Sequence, residues 1–210
     1  MKKIIAVLVL CALVVCGAAA DERSFDLNLG FGGLTDTITN GTVYRDYKFQ
    51  GITFGFTSTT MYSKFIGMSS DVNIERPSKL TISDGSNSVS ANNVNASDLG
   101  FQMDMSFGLA IRPYSANGIN LYIIPNVGMY FWFPPASALG SVNPNELLGF
   151  GVDVAVKFSP VDGIGIMAGL DFDYYTMDLA AEIAGSSTTT YGIEEHWTLL
   201  NPKIGISFSF

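Results

Sequence analysis

The sequence predicts an all-β fold, an eight-stranded antiparallel up-and-down barrel that crosses a membrane with its strands. Three observations carry that prediction. Large apolar residues recur at every second position through eight segments, the signature of a pleated strand with one greasy face. The front of the chain reads as an export leader, and no later apolar run reaches the roughly 20 residues a spanning helix needs. The chain closes on Ile204, Ile206, Phe208 and Phe210 alternating with Gly205, Ser207 and Ser209, with no polar tail.

Met1-Lys2-Lys3, the apolar run from Ile4 to Val15 and the small residues Gly17 to Ala20 predict a cleaved signal peptide over residues 1–20. Residues 21–210 then form one barrel domain. Leu13-Val14-Val15 before Cys16 leaves open a second reading, in which that thiol carries a lipid. Cys11 and Cys16 both lie in the leader, so the exported part has no cysteine and no disulfide. The chain has 11 basic and 19 acidic residues, a net charge of -8. Loss of Lys2 and Lys3 leaves 9 basic against 19 acidic, a net of -10. Such an acidic protein is a poor ligand for nucleic acid or for an anionic membrane surface.

The first strand places Phe25, Leu27, Leu29 and Phe31 on one face, and a polar loop spans residues 34–48. The second carries Ile52, Phe54 and Phe56 and ends in a turn at Ser58-Thr59-Thr60. The third carries Tyr62, Ile66, Met68, Val72 and Ile74, with Lys64 on the same face, its head able to reach the interface. Glu75 to Asp98 reads as a long polar loop, inside which Leu80-Thr81-Ile82 and Val89-Ser90-Ala91 flank Asp84-Gly85 as a hairpin. The fourth strand, Leu99 to Ile111, alternates without a break and keeps its charges on the polar face. Residues 112–118 form a turn.

The fifth strand points Ile119, Leu121, Ile123, Val127, Met129, Phe131 and Phe133 outward, and Asn120, Tyr122, Asn126 and Tyr130 inward. Pro125 has no N–H for the ladder and predicts a bulge. The sixth strand presents Leu148 to Phe158, the seventh Ile164 to Tyr174, and the eighth leads to Phe210. Pro202 is expected to limit regular pairing to the residues after it. Connections alternate long and short, so the termini and the short turns share one side.

The polar face decides which side of the sheet meets lipid. A water-soluble barrel needs a surface dense in charge, yet charged residues are 14% of this chain. The face opposite the apolar one is mostly Gly, Ser, Asn, Ala and Tyr. Small residues suit the inside of a narrow barrel, and bulky apolar ones suit lipid.

With these residues in place, the mature chain resembles the small bacterial outer-membrane β-barrels of the OmpA-transmembrane, OmpX and OmpW kind. Ile204, Ile206, Phe208 and Phe210 resemble the C-terminal assembly signal of that class, and Asn201-Pro202 is similar to a step near the end of OmpW-type proteins. The resemblance implies an outer-membrane location, long outer loops and short periplasmic turns. Its implied partners are outer-membrane lipid, the barrel-assembly machinery and surface or host ligands met by the loops. It implies no cofactor and no metal.

Interior charges are the first candidate site: Asp26, Asp104, Asp153, Asp171 and Asp173 against Arg112, Lys157 and Lys203. They read either as an ion-pair plug or as a cation path, and the narrow bore of eight strands favours the plug. Trp132, Tyr130, Tyr174, Tyr175 and Trp197 fall at predicted outer strand ends and read as an aromatic girdle. His196-Trp197-Thr198, beside Glu194 and Glu195, faintly resembles the His-x-Ser arrangement of barrel enzymes that deacylate lipid A, with Thr198 in the place of the Ser. The expected function is a structural or adhesin-like surface role, with a channel for small or hydrophobic solutes second and a lipid A-modifying enzyme third.

Overall fold

The computed structural model describes residues 22–39, 44–92, 99–133, 145–178 and 194–210. The proposed signal peptide, Cys11 and Cys16 lie outside them. In chain order the strands are β1 (Glu22–Thr39), β2 (Tyr44–Met61), β3 (Ile66–Ser83), β4 (Ser88–Asn92), β5 (Phe101–Ala116), β6 (Ile119–Phe133), β7 (Asn145–Val161), β8 (Ile164–Asp178) and β9 (Glu194–Ser209). Successive strands pair antiparallel, except that β3 pairs past β4 with β5, and the pairing of β1 with β9 closes the cylinder. Eight strands make the wall. β4 pairs with β3 as the return arm of the hairpin expected around Asp84-Gly85, with Ile82 opposite Val89.

Closure joins the two ends of the barrel. Ser24 stands opposite Ser209 and Leu29 opposite Ile204, and beyond the ladder the Phe210 N–H donates to the Arg23 carbonyl at 2.8 Å. Side chains alternate across this wall. Leu27, Phe54 and Ile204 are 51%, 62% and 68% exposed, while Asp26, Asn201 and Ser207 are 0% exposed. A protein in water does not present so continuous an apolar surface around a charged interior. From Phe101 to Ile111, at ~3.3 Å per residue and a tilt of ~40°, the greasy face of β5 is about 25 Å tall, the height of an outer-membrane band.

The strands run further than the apolar alternation suggested, because polar residues continue the ladder past the membrane band. β1 and β2 extend to Thr39 and Tyr44, well into the region read as a loop. Ser58 to Thr60 belong to β2, and the turn falls at residues 62–65, where the N–H groups of Tyr62 and Ser63 donate to the Ile66 carbonyl. Residues 112–116 likewise remain in β5, with a register shift between Ile111 and Tyr114. The turn there is Asn117-Gly118, whose φ angles of 54° and 76° suit a tight hairpin turn that follows the sheet twist.

Neither proline acts as expected. Pro125 sits in register opposite Val152, and on its other side the ladder to β5 skips Leu109 and Ala110 without shifting. Pro202 sits opposite Leu170, and pairing between β1 and β9 resumes beyond it at Gly33–Leu200 and continues to Glu194. In both places the missing N–H falls in a gap of one ladder, so the strand needs no bulge.

Inward glycines let the interior side chains cross the bore. A Cβ on Gly55 would lie 1.9 Å from Asn73 Oδ1, and one on Gly30 2.4 Å from Asn201 Oδ1. Gly55→Val should therefore cost about 1–3 kcal/mol of stability, read by urea unfolding of the refolded barrel. An unchanged midpoint would mean that Asn73 yields freely.

At the hairpin tip, the Asn87 and Ser86 N–H groups donate to Asp84 Oδ1 at 2.7 and 3.0 Å and hold that carboxyl below the usual range. A lowered value in the folded state means that the tip is fully braced above the ordinary carboxylate range. That bracing is lost as pH falls through the lowered value. Amide exchange at Ser86 and Asn87, corrected for its intrinsic pH dependence, should lose protection in acid while the wall strands keep theirs.

Candidate functional site

The interior is built in levels, each set by which inward positions the pleat supplies. Nearest the short turns, Met61, Ala110, Tyr122, Ile124, Ala155 and Met167 form a small apolar cluster with two cations beside it. Lys157 Nζ lies 2.7 Å from Asp26, donates to Ser24 Oγ at 2.7 Å, and sits 5.0 Å from the centre of the Tyr122 ring. Arg112 Nη1 lies 2.5 Å from Glu22, and its Nε donates to the Lys64 carbonyl at 2.9 Å. Tyr122 is thus a shared packing surface for both cations.

The middle level is acidic. Lys203 Nζ bridges Asp71 at 3.1 Å and Asp171 at 2.9 Å. Asn73 Nδ2 donates to Asp71, to Asp104 at 3.2 Å and to Asp171 at 3.4 Å. Asn126 Nδ2 donates to Asp153 at 2.9 Å, and Asn201 Nδ2 to Asp171 at 3.1 Å. Thr57 donates to Asp71, and Thr53 to Asn201 Oδ1 at 2.8 Å. Asp173 is buried at the same level. Above it stand Glu75 and Gln102, opposite one another on β3 and β5.

The outer level is an apolar lid of Leu34, Tyr130, Leu147, Tyr175, Trp197 and Leu199, with Trp132 packed against it. The Tyr130 and Tyr175 rings meet at 5.7 Å, and Trp132 Nε1 donates to the Leu99 carbonyl at 3.0 Å. This corrects the girdle expected from the sequence. Tyr130, Tyr175 and Trp197 are 2%, 1% and 5% exposed and point into the bore, where Trp132 joins them. Tyr174 alone of the five shares the outward face, between Phe150 and His196. The reason is the pleat: each inward aromatic lies an even number of residues from an inward polar position, such as Tyr130 from Asn126. The inward place that alternation gives Tyr130 thus prevails over its nearness to a strand end.

All eight interior residues expected from the sequence, Asp26, Asp104, Asp153, Asp171, Asp173, Arg112, Lys157 and Lys203, are buried, but they do not form one network. Arg112 and Lys157 pair below with Glu22 and Asp26, and Lys203 pairs with Asp171 and with Asp71. The important omissions are Asp71, Asn73 and Glu75 of β3. Gly67, Ser69, Asp71, Asn73 and Glu75 do alternate in the sequence, but Ser70 interrupts the apolar partner series of the third strand and obscures its inward face. Lys64, expected on that strand, lies in the turn before it. Ile204 and Ile206 face outward, Phe208 is half-buried, and Phe210 is 84% exposed at the closing seam.

His196 and Thr198 share one face of β9, and the His196 ring lies 5.5 Å from that of Tyr174. Among the described residues no group of three or more His, Cys, Asp or Glu side chains is placed to hold a metal ion.

No family model matches the chain, and no curated protein matches its sequence. Solved structures do match. Neisserial surface protein A aligns with a TM-score of 0.53 at 9% identity, covering 89% of this chain and 97% of its own. The outer membrane protein OprG of Pseudomonas aeruginosa aligns at 0.50 and 10% identity, covering 93% and 98%. The outer membrane protease OmpT of Escherichia coli aligns at 0.51 and 8% identity, covering 91% and 97%. The chain has the fold of the small outer-membrane β-barrels. At these identities the likeness is one of fold, and it assigns no subfamily.

Among the described residues Lys203 is the ammonium that bridges Asp71 and Asp171. Lys203→Met should cost about 3–5 kcal/mol, because it leaves both carboxylates buried without their counter-charge. Adding Asp71→Asn and Asp171→Asn should recover much of that loss in urea unfolding. An equally unstable triple variant would show that packing, and not charge, was lost.

Proposed function

We propose that this protein sits in the bacterial outer membrane as a barrel with a closed bore and acts through its outer surface, in a structural or adhesin-like role. The observation that carries this reading is that buried side chains cross the bore at every level, from the Arg112 and Lys157 pairs through Lys203 to the aromatic lid. A channel needs a continuous wetted path, and eight strands enclose little more than side chains. The wall also continues above the greasy band: β1, β2 and the β3–β4 hairpin carry Thr37, Lys48 and Arg76 and end in the exposed tip at Asp84–Asn87. Contact with surface or host ligands then falls to these projecting ends and the longer connections.

Insertion depends on the cleaved leader at 1–20 and on recognition of Ile204, Ile206, Phe208 and Phe210 by the barrel-assembly machinery. The protein is read as non-enzymatic. Thr198 stands where the resembled deacylases carry a Ser, and the His196 ring packs against Tyr174. A channel for small solutes is the second reading, favoured by the excess of carboxylates inside.

Refolded protein in planar bilayers decides between plug and channel. The closed-bore reading expects no steady stepwise current. Loss of the lid by Tyr130→Ala with Trp197→Ala should raise leak. Steady, cation-selective steps from the unaltered protein would overturn the plug.

A further inference from the structure

The basic residues of the barrel are segregated along it. Arg112, Lys157 and Lys203 are buried in the bore and ion-paired there. Arg23 stands at the closing seam on the short-turn side, and Lys64 lies over the Phe65 ring in a short turn. The others after the leader, Arg45, Lys48, Arg76 and Lys79, all fall at the outer ends of two adjacent strands, β2 and β3. Further round the rim, the outer ends of β7, β8 and β9 carry Glu146, Asp178, Glu194 and Glu195.

Register puts Lys48, Arg76 and Lys79 on the lipid-facing side. Ile52 and Phe54 face outward, and Gln50 and Lys48 continue that face up β2. Arg76 is the partner of Ile52, and Lys79 the partner of Gln50. On a regular strand residues three apart face opposite ways. Here the register shift at Gln50–Gly51 leaves Ser78 without a ladder partner on β2 and brings Arg76 and Lys79 to one face. Arg76 lies one residue past the Glu75–Gln102 pair, level with Phe101 at the top of the greasy band. Lys79 is one outward step higher, about 5 Å, within a headgroup layer roughly 5–8 Å deep. Lys48 starts higher still and leans down, since a Cβ on Gly33, the residue opposite Gln50, would lie 4.0 Å from Lys48 Cε. Arg76 and Lys48 are exposed and Lys79 is half-buried. Among the described residues none of the three is ion-paired with a carboxylate. The acid next above Lys48 on this face, Asp46, already accepts from the Thr37 and Tyr44 hydroxyls at 2.7 Å each.

We propose that Arg76, Lys79 and Lys48 form a docking site for the phosphate groups of an anionic outer-leaflet lipid, whose acyl chains lie on Phe31, Ile52 and Ile74 below. A guanidinium offers a donor fork that matches phosphate, and the two ammonium groups add point charges beside it. The occupant is a lipid and not a soluble polyanion because the three cations share the face and the upper edge of the greasy band. Arg45 has the opposite parity on β2 and is turned away from that face. The acidic balance of the chain as a whole argues against an anionic surface, and the segregation of charge reverses that balance at this one edge. The inference rests on the membrane placement proposed above and leaves the state of the bore aside.

The test melts protein refolded in phosphatidylcholine vesicles, with and without diphosphorylated lipid A, at one ionic strength. The proposal expects lipid A to raise the midpoint by about 3 °C or more, and added salt to shrink that rise. Arg76→Gln, Lys79→Gln and Lys48→Gln together should leave the midpoint in phosphatidylcholine alone nearly unchanged, as surface changes do, and abolish the rise. Arg76→Gln alone should at least halve it, whereas Arg45→Gln, an equal loss of charge from the other face, should leave it intact. Equal midpoints with and without lipid A would overturn the proposal, as would a rise that survives in the triple variant. If the triple variant does not refold, an undiminished rise in Arg76→Gln counts against the site. A rise of the same size from heparin or inorganic phosphate in vesicles free of lipid A would overturn it too, and would assign the patch to a soluble anion. Failure of the unaltered protein to insert, read as a gel band that does not shift on heating, would overturn the membrane placement and the site with it.

Discussion

The structure depends on one constraint: in hydrocarbon no backbone N–H or C=O can be left without a partner. A sheet meets that demand only by closing on itself, and here closure is the antiparallel seam of β1 with β9. The seam explains why the first and last apolar segments of the chain have the same pattern, Phe25 to Phe31 against Ile204 to Phe208. It also explains the placing of the two prolines. Each sits in one unbroken ladder, opposite Val152 or Leu170, and turns its missing donor to a gap in the other.

Closure with eight strands leaves a bore only as wide as the side chains that fill it. Small inward residues such as Gly30 and Gly55 make room for Asn201 and Asn73 to reach across to other walls. The bond of Thr53 to Asn201 then bridges over β1, and that of Asn73 to Asp171 ties opposite sides of the cylinder together. The lid and the lower apolar cluster shield this layer from water at both ends. The same shielding strengthens every ion pair inside and raises the cost of each carboxylate that lacks one.

Much of the fold was legible from residue alternation, because a strand between lipid and a packed bore has two unlike faces. The eight wall strands, the Asp84-Gly85 hairpin and the burial of Asp104, Asp171 and Lys203 all follow from it. Where the faces resemble one another, the signal fades. Ser70 on the outward face of β3 concealed Asp71, Asn73 and Glu75, and the polar ends of β1 and β2 read as loops. Aromatic residues at strand ends misled for a different reason. Tyr130, Tyr175 and Trp197 suit either an interface or a lid, and only their parity along the strand distinguishes the two.

The chain by itself determined that its sheet is greasy outside and polar within, since period-two alternation is a local property of the pleat. It determined most of the inward residues, among them Asp104, Asp171 and Lys203, though not Asp71 and Glu75 of β3. It could not determine which inward residues meet. Lys203 pairs with Asp71 because strand tilt and stagger carry β9 and β3 to facing positions across the bore, and that offset belongs to the closed cylinder as a whole. The balance of charge inside was therefore a tertiary decision: Arg112 and Lys157 pair below with Glu22 and Asp26, and among the described residues Lys203 is the cation that pairs within the acidic middle layer.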